Sequence, residues 1–172
     1  MSARIFFAAL VLGGAFLAAC QSTDAPDPVV IYLMRHAEKQ VPPADTTADP
    51  SLDAAGMARA AALARTLGEA GVTRILSTNF KRTIETVEPL AQQLGLEVER
   101  YDPRALDAVA ELLKTSTGRI VVVGHSNTTP QLVGLLGGES GPAYDEVTEY
   151  DRLYIVTIAS GKTTTIQLRY GD

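Results

Sequence analysis

Short unbroken apolar runs alternate along this chain with longer amphipathic ones, and two of the apolar runs stop abruptly at a histidine. Six apolar residues over 29–34, four of them β-branched or aromatic, have the make-up of a strand buried on both faces, and the run breaks into Arg35 and His36. Leu52, Met57, Ala60, Leu63, Ala64 and Leu67 recur at helical spacing, which predicts a helix capped by Ser51 and ending near Gly68 or Gly71. A short strand over 72–76 leads to a helix over 80–94 with Thr78 or Asn79 as cap. An edge strand over 96–101, where Leu96, Val98 and Tyr101 are interleaved with charges, leads to a helix over 103–114 with Asp102 as N-cap and Pro103 at its first position. The run over 120–123 reads as a second buried strand, ending at Gly124 and His125. Ser126 or Asn127 then caps a helix reaching about 136, which Gly137 and Gly138 end. Strands over 153–159 and 163–169, separated by a tight turn at 160–162, predict an antiparallel hairpin. The order of elements is that of a three-layer α/β/α sandwich with a mostly parallel central sheet and a C-terminal antiparallel hairpin.

The two ends of the chain bound the domain. Residues 1–20 have a cationic start at Arg4, an almost wholly apolar stretch over 5–17, and the closing tetrad Leu17, Ala18, Ala19, Cys20, which marks a targeting segment outside the fold. The tetrad resembles the bacterial lipobox, in which the cysteine is lipidated; an ordinary secretory signal or an uncleaved anchor is the alternative. Cys20 is the sole cysteine, so no disulfide can form within the chain. Residues 21–28, polar and proline-containing, read as a tether, and 29–172 as one domain. By the same resemblance the protein is expected at the bacterial cell envelope, lipid-anchored and facing the periplasm, with Gln21 after the cysteine favouring the outer membrane.

Loss of Arg4 takes the formal charge from −5 to about −6, a balance that excludes nucleic acid as partner, because backbone phosphates require a broad basic surface. Any anion site must therefore be local. Arg35, His36, Arg82 and His125 all fall at strand ends or at the helix start that follows one. In an open α/β sheet those ends share one edge, where ligands bind. If the strands bearing the only two histidines are parallel neighbours, their imidazoles face one another across a pocket. Lys81 and Arg82 occupy the first turn of a helix, where the dipole disfavours a cation, so an anion is expected to offset that cost. The alternative for each residue is a solvated loop or surface position. No cluster of cysteines or carboxylates suits a metal. Two guanidinium forks and two imidazoles suit a small dianion, and an imidazole kept neutral by neighbouring cations can attack phosphorus.

Three stretches carry a family resemblance. Residues 35–38 (RHAE) resemble the RHG or RHA motif of the histidine phosphatase superfamily, the group that includes cofactor-dependent phosphoglycerate mutase and the small phosphohistidine phosphatases. Residues 77–86 (STNFKRTIET) resemble its second motif and 123–126 (VGHS) its third. The resemblance implies His36 as the phosphorylated nucleophile, Arg35, Arg82 and His125 as phosphate ligands with Ser126 beside them, a small phosphorylated substrate, and no cofactor. It implies a phosphatase acting on a phosphomonoester or phosphoramidate, with a non-catalytic phosphate-binding module or a phosphomutase as alternatives. The family's glutamate proton donor has no clear counterpart. Asp102 stands in the right interval, with Asp107 and Glu111 further along, and Asp102 has an equally good role as helix cap. Glu38 and Lys39 are candidate substrate contacts or solvated loop charges. The loops over 39–50 and 139–151 are where substrate selection is expected.

Overall fold

The computed structural model describes residues 27–41 and 48–171. The targeting segment, Cys20 and most of the tether lie outside the described residues. Ten elements follow in order: β1 (Val29–Arg35), α1 (Ala54–Leu67), β2 (Arg74–Thr78), α2 (Lys81–Leu94), β3 (Val98–Tyr101), α3 (Leu106–Lys114), β4 (Gly118–Gly124), α4 (Thr128–Leu135), β5 (Arg152–Ala159) and β6 (Lys162–Arg169). They form one six-stranded sheet in the order β3-β2-β4-β1-β5-β6. The four strands β1 to β4 are parallel, and β5 pairs with β1 and β6 with β5 in antiparallel register. Ser160 and Gly161 both have positive φ, at 50° and 72°, which closes the β5–β6 hairpin as a two-residue turn matched to the twist of its strands.

The period of two along each central strand divides the core. Ile31 and Leu33 of β1 point to one face with Ile120 and Val122 of β4, where Val109 and Leu113 of α3 and Leu132, Val133 and Leu136 of the α4 region cover them. Tyr32 and Met34 point to the other with Val121 and Val123, under Leu63 and Leu67 of α1 and Val87 and Leu90 of α2. Burial on both faces is why these strands read as continuous apolar runs rather than alternating ones. β1 and β4 are adjacent, yet the chain leaves β1 toward α1 on one face and β4 toward α4 on the other. A crevice opens where neighbouring strands part in this way, outside their carboxyl ends.

Several helix starts differ from the sequence reading. α1 is capped by Asp53, which accepts from the Gly56 amide at 2.8 Å, and not by Ser51. Met57 is exposed, and Ala62 stands on the buried face instead. At α2 the cap position is Phe80, without a side-chain bond, and α3 begins at Leu106 rather than at Pro103. Asp102 accepts instead from the Arg104 amide at 2.9 Å within the turn before α3, so its capping role is local to that turn. Asn127 precedes α4 without a side-chain bond, while the Thr128 hydroxyl accepts from the His125 amide at 3.0 Å. Among the described residues no helix is long and apolar enough to cross a membrane.

Candidate active site

The crevice is built by the last residues of β1 and β4. Arg35 pairs in register with Gly124, and the ladder continues one step as the His36 amide donates to the Gly124 carbonyl at 3.0 Å. This places His36 and His125 beside each other, with ring centroids 5.5 Å apart at 67°. The adjacency expected from the two apolar runs is therefore the geometry found. Gly124 is required at this junction: a Cβ there would meet the Thr128, Tyr101 and Thr129 hydroxyl oxygens at 2.9, 2.9 and 3.0 Å.

The buried His36 ring has Nδ1 at 2.7 Å from its neighbour's carbonyl, Ala37 O. A carbonyl only accepts, so Nδ1 carries the proton and Nε2 keeps its lone pair. Burial, followed by the charges of Arg35 and Arg82 and against the pull of that carbonyl, lowers the pKa from 6.5 to about 3. His125 is lowered to about 4, by burial first and then by Arg82 and Arg35, and its Nε2 lies 3.1 Å from the Thr78 hydroxyl at the end of β2. Both imidazoles are thus neutral at physiological pH.

Arg35 is buried and clamped by backbone: Nη1 donates to the Glu149 carbonyl at 3.0 Å and Nη2 to the Glu146 carbonyl at 2.8 Å, with the Tyr150 ring 4.0 Å from its guanidinium carbon. The loop that supplies those carbonyls is itself held by Arg152, which is buried and bonds Glu149, the Pro142 carbonyl and the Tyr154 hydroxyl. Sequence reasoning missed Arg152, Glu149 and Tyr150. They lie more than a hundred residues from Arg35 in sequence, and no local pattern signals such a clamp.

Arg82 projects from the first turn of α2, its guanidinium 4.6 Å from the Phe80 ring, and burial pulls its pKa down, with Asp49 opposing. The expected anion at this helix start is supplied by the chain itself. The Asp49 carboxylate accepts from the Lys81 amide at 2.9 and 3.2 Å and lies 3.5 Å from Arg82 Nη1. Asp49 was not singled out in the sequence, because nothing local says where the far end of a proline-rich loop will land. The Nε–H groups of both Arg35 and Arg82 are buried with no acceptor among the described residues. Unmet buried charged donors are rare and costly, and an oxyanion is a group whose chemistry would satisfy two of them flanking one crevice.

The remaining sequence candidates are placed less centrally. Ser126 donates its hydroxyl proton to Glu146 Oε1 at 2.9 Å, so it must leave that carboxylate before it can serve an anion. Glu38 is held by Arg59 in a two-pronged pair at 2.7–3.0 Å, which overrides the upward push of burial and keeps its pKa below the ordinary value. Gly56 lets α1 approach this residue, since a Cβ there would lie 2.0 Å from the Glu38 carbonyl. Lys39 bridges to Leu52 through backbone. Asp102 is exposed, and its carboxylate binds the Arg104 side chain at 3.1 and 3.2 Å; that pairing lowers its pKa, the wrong direction for a proton donor. Asp107 and Glu111 are exposed on α3, where Glu111 pairs with Lys114. Among the described residues no group of three or more His, Cys, Asp or Glu stands where it could hold a metal ion.

Comparison with known proteins bears on the fold. The fold resembles that of the protein histidine phosphatase SixA complexed with tungstate, at 21% identity and TM-score 0.64 over 81% of this chain and 96% of that one. It resembles phosphoglycerate mutase from Bacillus anthracis str. Sterne at 16% identity and TM-score 0.62, over 84% and 94% of the two chains. A mycobacterial glucosyl-3-phosphoglycerate phosphatase is similar at 14% identity and TM-score 0.62, over 84% and 99%. No curated protein sequence matches the chain significantly. Residues 31–103 match the family model described as histidine phosphatase superfamily (branch 1), and the span includes the first two of the three motifs at strand ends. Over residues 31–103 the chain is thus similar to branch 1 of the histidine phosphatase superfamily.

Proposed function

We propose that this protein is a phosphatase that hydrolyses a phosphomonoester or phosphoramidate through a phosphohistidine on His36. One observation carries the reading: a neutral imidazole with a free Nε2 lone pair shares its crevice with two arginines whose buried Nε–H groups lack acceptors. The Nε2 lone pair attacks phosphorus, the N–P bond forms, and the bond to the leaving oxygen or nitrogen breaks. Arg35 and Arg82 neutralise the equatorial oxygens, and the neutral imidazole of His125 lines the same space. Water then attacks phosphorus, the N–P bond breaks, phosphate leaves and His36 regains its lone pair. The similar SixA is complexed with tungstate, an oxyanion of the charge class that two arginines would bind. The placement of Asp102 gives the leaving group no obvious proton donor, which favours substrates whose leaving groups need little protonation. It is also the observation that keeps a non-catalytic phosphate-binding module as the second reading.

Rapid-quench labelling separates the two. Acid-labile phosphate should appear on His36 ahead of free phosphate, with a burst of alcohol or amine wherever the second step is slower. His36→Ala should abolish the label and lower turnover by a factor on the order of 10³ or more. Native-rate turnover by that variant sinks the assignment, and binding without label leaves the non-catalytic module.

We also propose that the mature protein is tethered to a bacterial envelope membrane, facing the periplasm, through lipidated Cys20. The support is the LAAC sequence beside the sole cysteine. Cys20→Ser should move the protein to the soluble fraction or block its maturation. Unchanged fractionation with an unmodified amino terminus overturns the proposal.

A further inference from the structure

Beside the anion seat lies a recess of about 670 Å³ lined by Asn79, Phe80, Arg100, Tyr101, Pro103 and the Asp102–Arg104 pair. One side chain, Phe80, borders both the recess and the residues of the seat. Phe80 faces this recess, lies 4.6 Å from the Arg82 guanidinium carbon and meets the His125 ring edge-on at 5.1 Å.

The order of strands gives the recess a direction. Along the carboxyl edge of the sheet His36 follows β1, His125 follows β4, Phe80 follows β2, and Asp102 and Pro103 follow β3. With neighbouring strands about 4.8 Å apart, the recess begins roughly 10 Å from the nucleophile's strand, on the far side of His125. The opposite side is closed. There the 139–151 loop clamps Arg35 through two carbonyls, and the Tyr150 ring stands 6.1 Å from His36. An in-line displacement needs the leaving group opposite the attacking nitrogen. The side away from the closed wall is the side of this recess.

Its chemistry selects a class of leaving group. Phe80 and Tyr101 present two flat aromatic rings, and Pro103 adds an aliphatic one. The Tyr101 hydroxyl is already used on the Val123 carbonyl at 3.0 Å. Of the two arginines, Arg104 is matched by Asp102, whereas Arg100 forms no ion pair among the described residues. We infer that this recess is the leaving-group pocket, and that it takes a planar ring bearing an acidic or acceptor substituent within reach of Arg100. The inference rests on the phosphatase reading and deepens it.

Binding of non-hydrolysable phosphonates to the purified domain tests it without requiring turnover. Benzylphosphonate should bind at least tenfold more tightly than propylphosphonate, and 4-carboxybenzylphosphonate more tightly still. Pro103→Asp, at a half-buried position in the turn before α3, should remove the ring preference while leaving inorganic phosphate affinity unchanged. Arg100→Ala should remove only the advantage of the carboxylate. Equal affinity for benzyl and propyl compounds, with phosphate bound normally, overturns the pocket and leaves the phosphatase reading standing. Failure of the native protein to bind phosphate or any phosphonate overturns both.

Discussion

Replacing Arg82 with alanine should separate ligand stabilisation from fold stability, because Arg82 is poorly satisfied in the free protein. Its contacts are a 3.5 Å approach to Asp49 and the Phe80 face, against a buried Nε–H with no acceptor among the described residues. Losing the cation–π contact costs about 1 kcal/mol, and relieving the unmet donor returns a similar amount, so the free variant should be within about 1 kcal/mol of the native protein. With an oxyanion present the result differs. At a hundredfold excess over Kd, tungstate or phosphate stabilises the native protein by about 2.7 kcal/mol. Deleting a charged donor to a dianion costs about 3 kcal/mol, a weakening of roughly 150-fold. At the same anion concentration the variant then keeps only about 0.3 kcal/mol. For a domain of this size a scanning melt should show a shift of roughly 5–10 °C shrinking to about 1 °C. A variant that melts several kcal/mol lower without ligand yet retains the full shift refutes the reasoning, because Arg82 would then be structural and the anion seat elsewhere.

Two further outcomes follow from the same geometry. His36 has its folded pKa at about 3 against 6.5 unfolded, so between those values the unfolded chain holds the extra proton. Stability should therefore fall as pH drops through 6.5, by about 2 kcal/mol at pH 5 from this residue. His36→Ala should flatten that part of a urea-melt pH profile, and an unchanged slope counts against a buried neutral imidazole. Gly124→Ala forces a Cβ against three hydroxyl oxygens at 2.9–3.0 Å and should cost about 1–3 kcal/mol in chemical denaturation while displacing His125 and weakening anion binding. A fully stable, fully binding variant would show that the close approach at this junction is not real.

What the sequence determined by itself was everything whose cause is local or periodic. The buried strands at β1 and β4 announce themselves as unbroken apolar runs because both of their faces are covered, and the β5–β6 hairpin by a turn at 160–162 between two strand-like runs. The positions of Arg35, His36, Arg82 and His125 at strand ends and at the start of α2 follow from those same runs and from three short motifs. Helix starts were less legible. Ser51, Asn79 and Asp102 all have capping chemistry, but Asp53, Asp49 and the turn at 102–105 took the work, since a cap is chosen by where the preceding loop arrives. Only the tertiary structure decided how the site is closed and tuned. The two carbonyls on Arg35, Tyr150 over its guanidinium and Asp49 on the start of α2 join segments about 30 to 115 residues apart. The depressed pKa of His36 depends on burial that no neighbouring residue in the chain supplies. Such couplings arise from packing between layers, and packing leaves no period in a sequence to read.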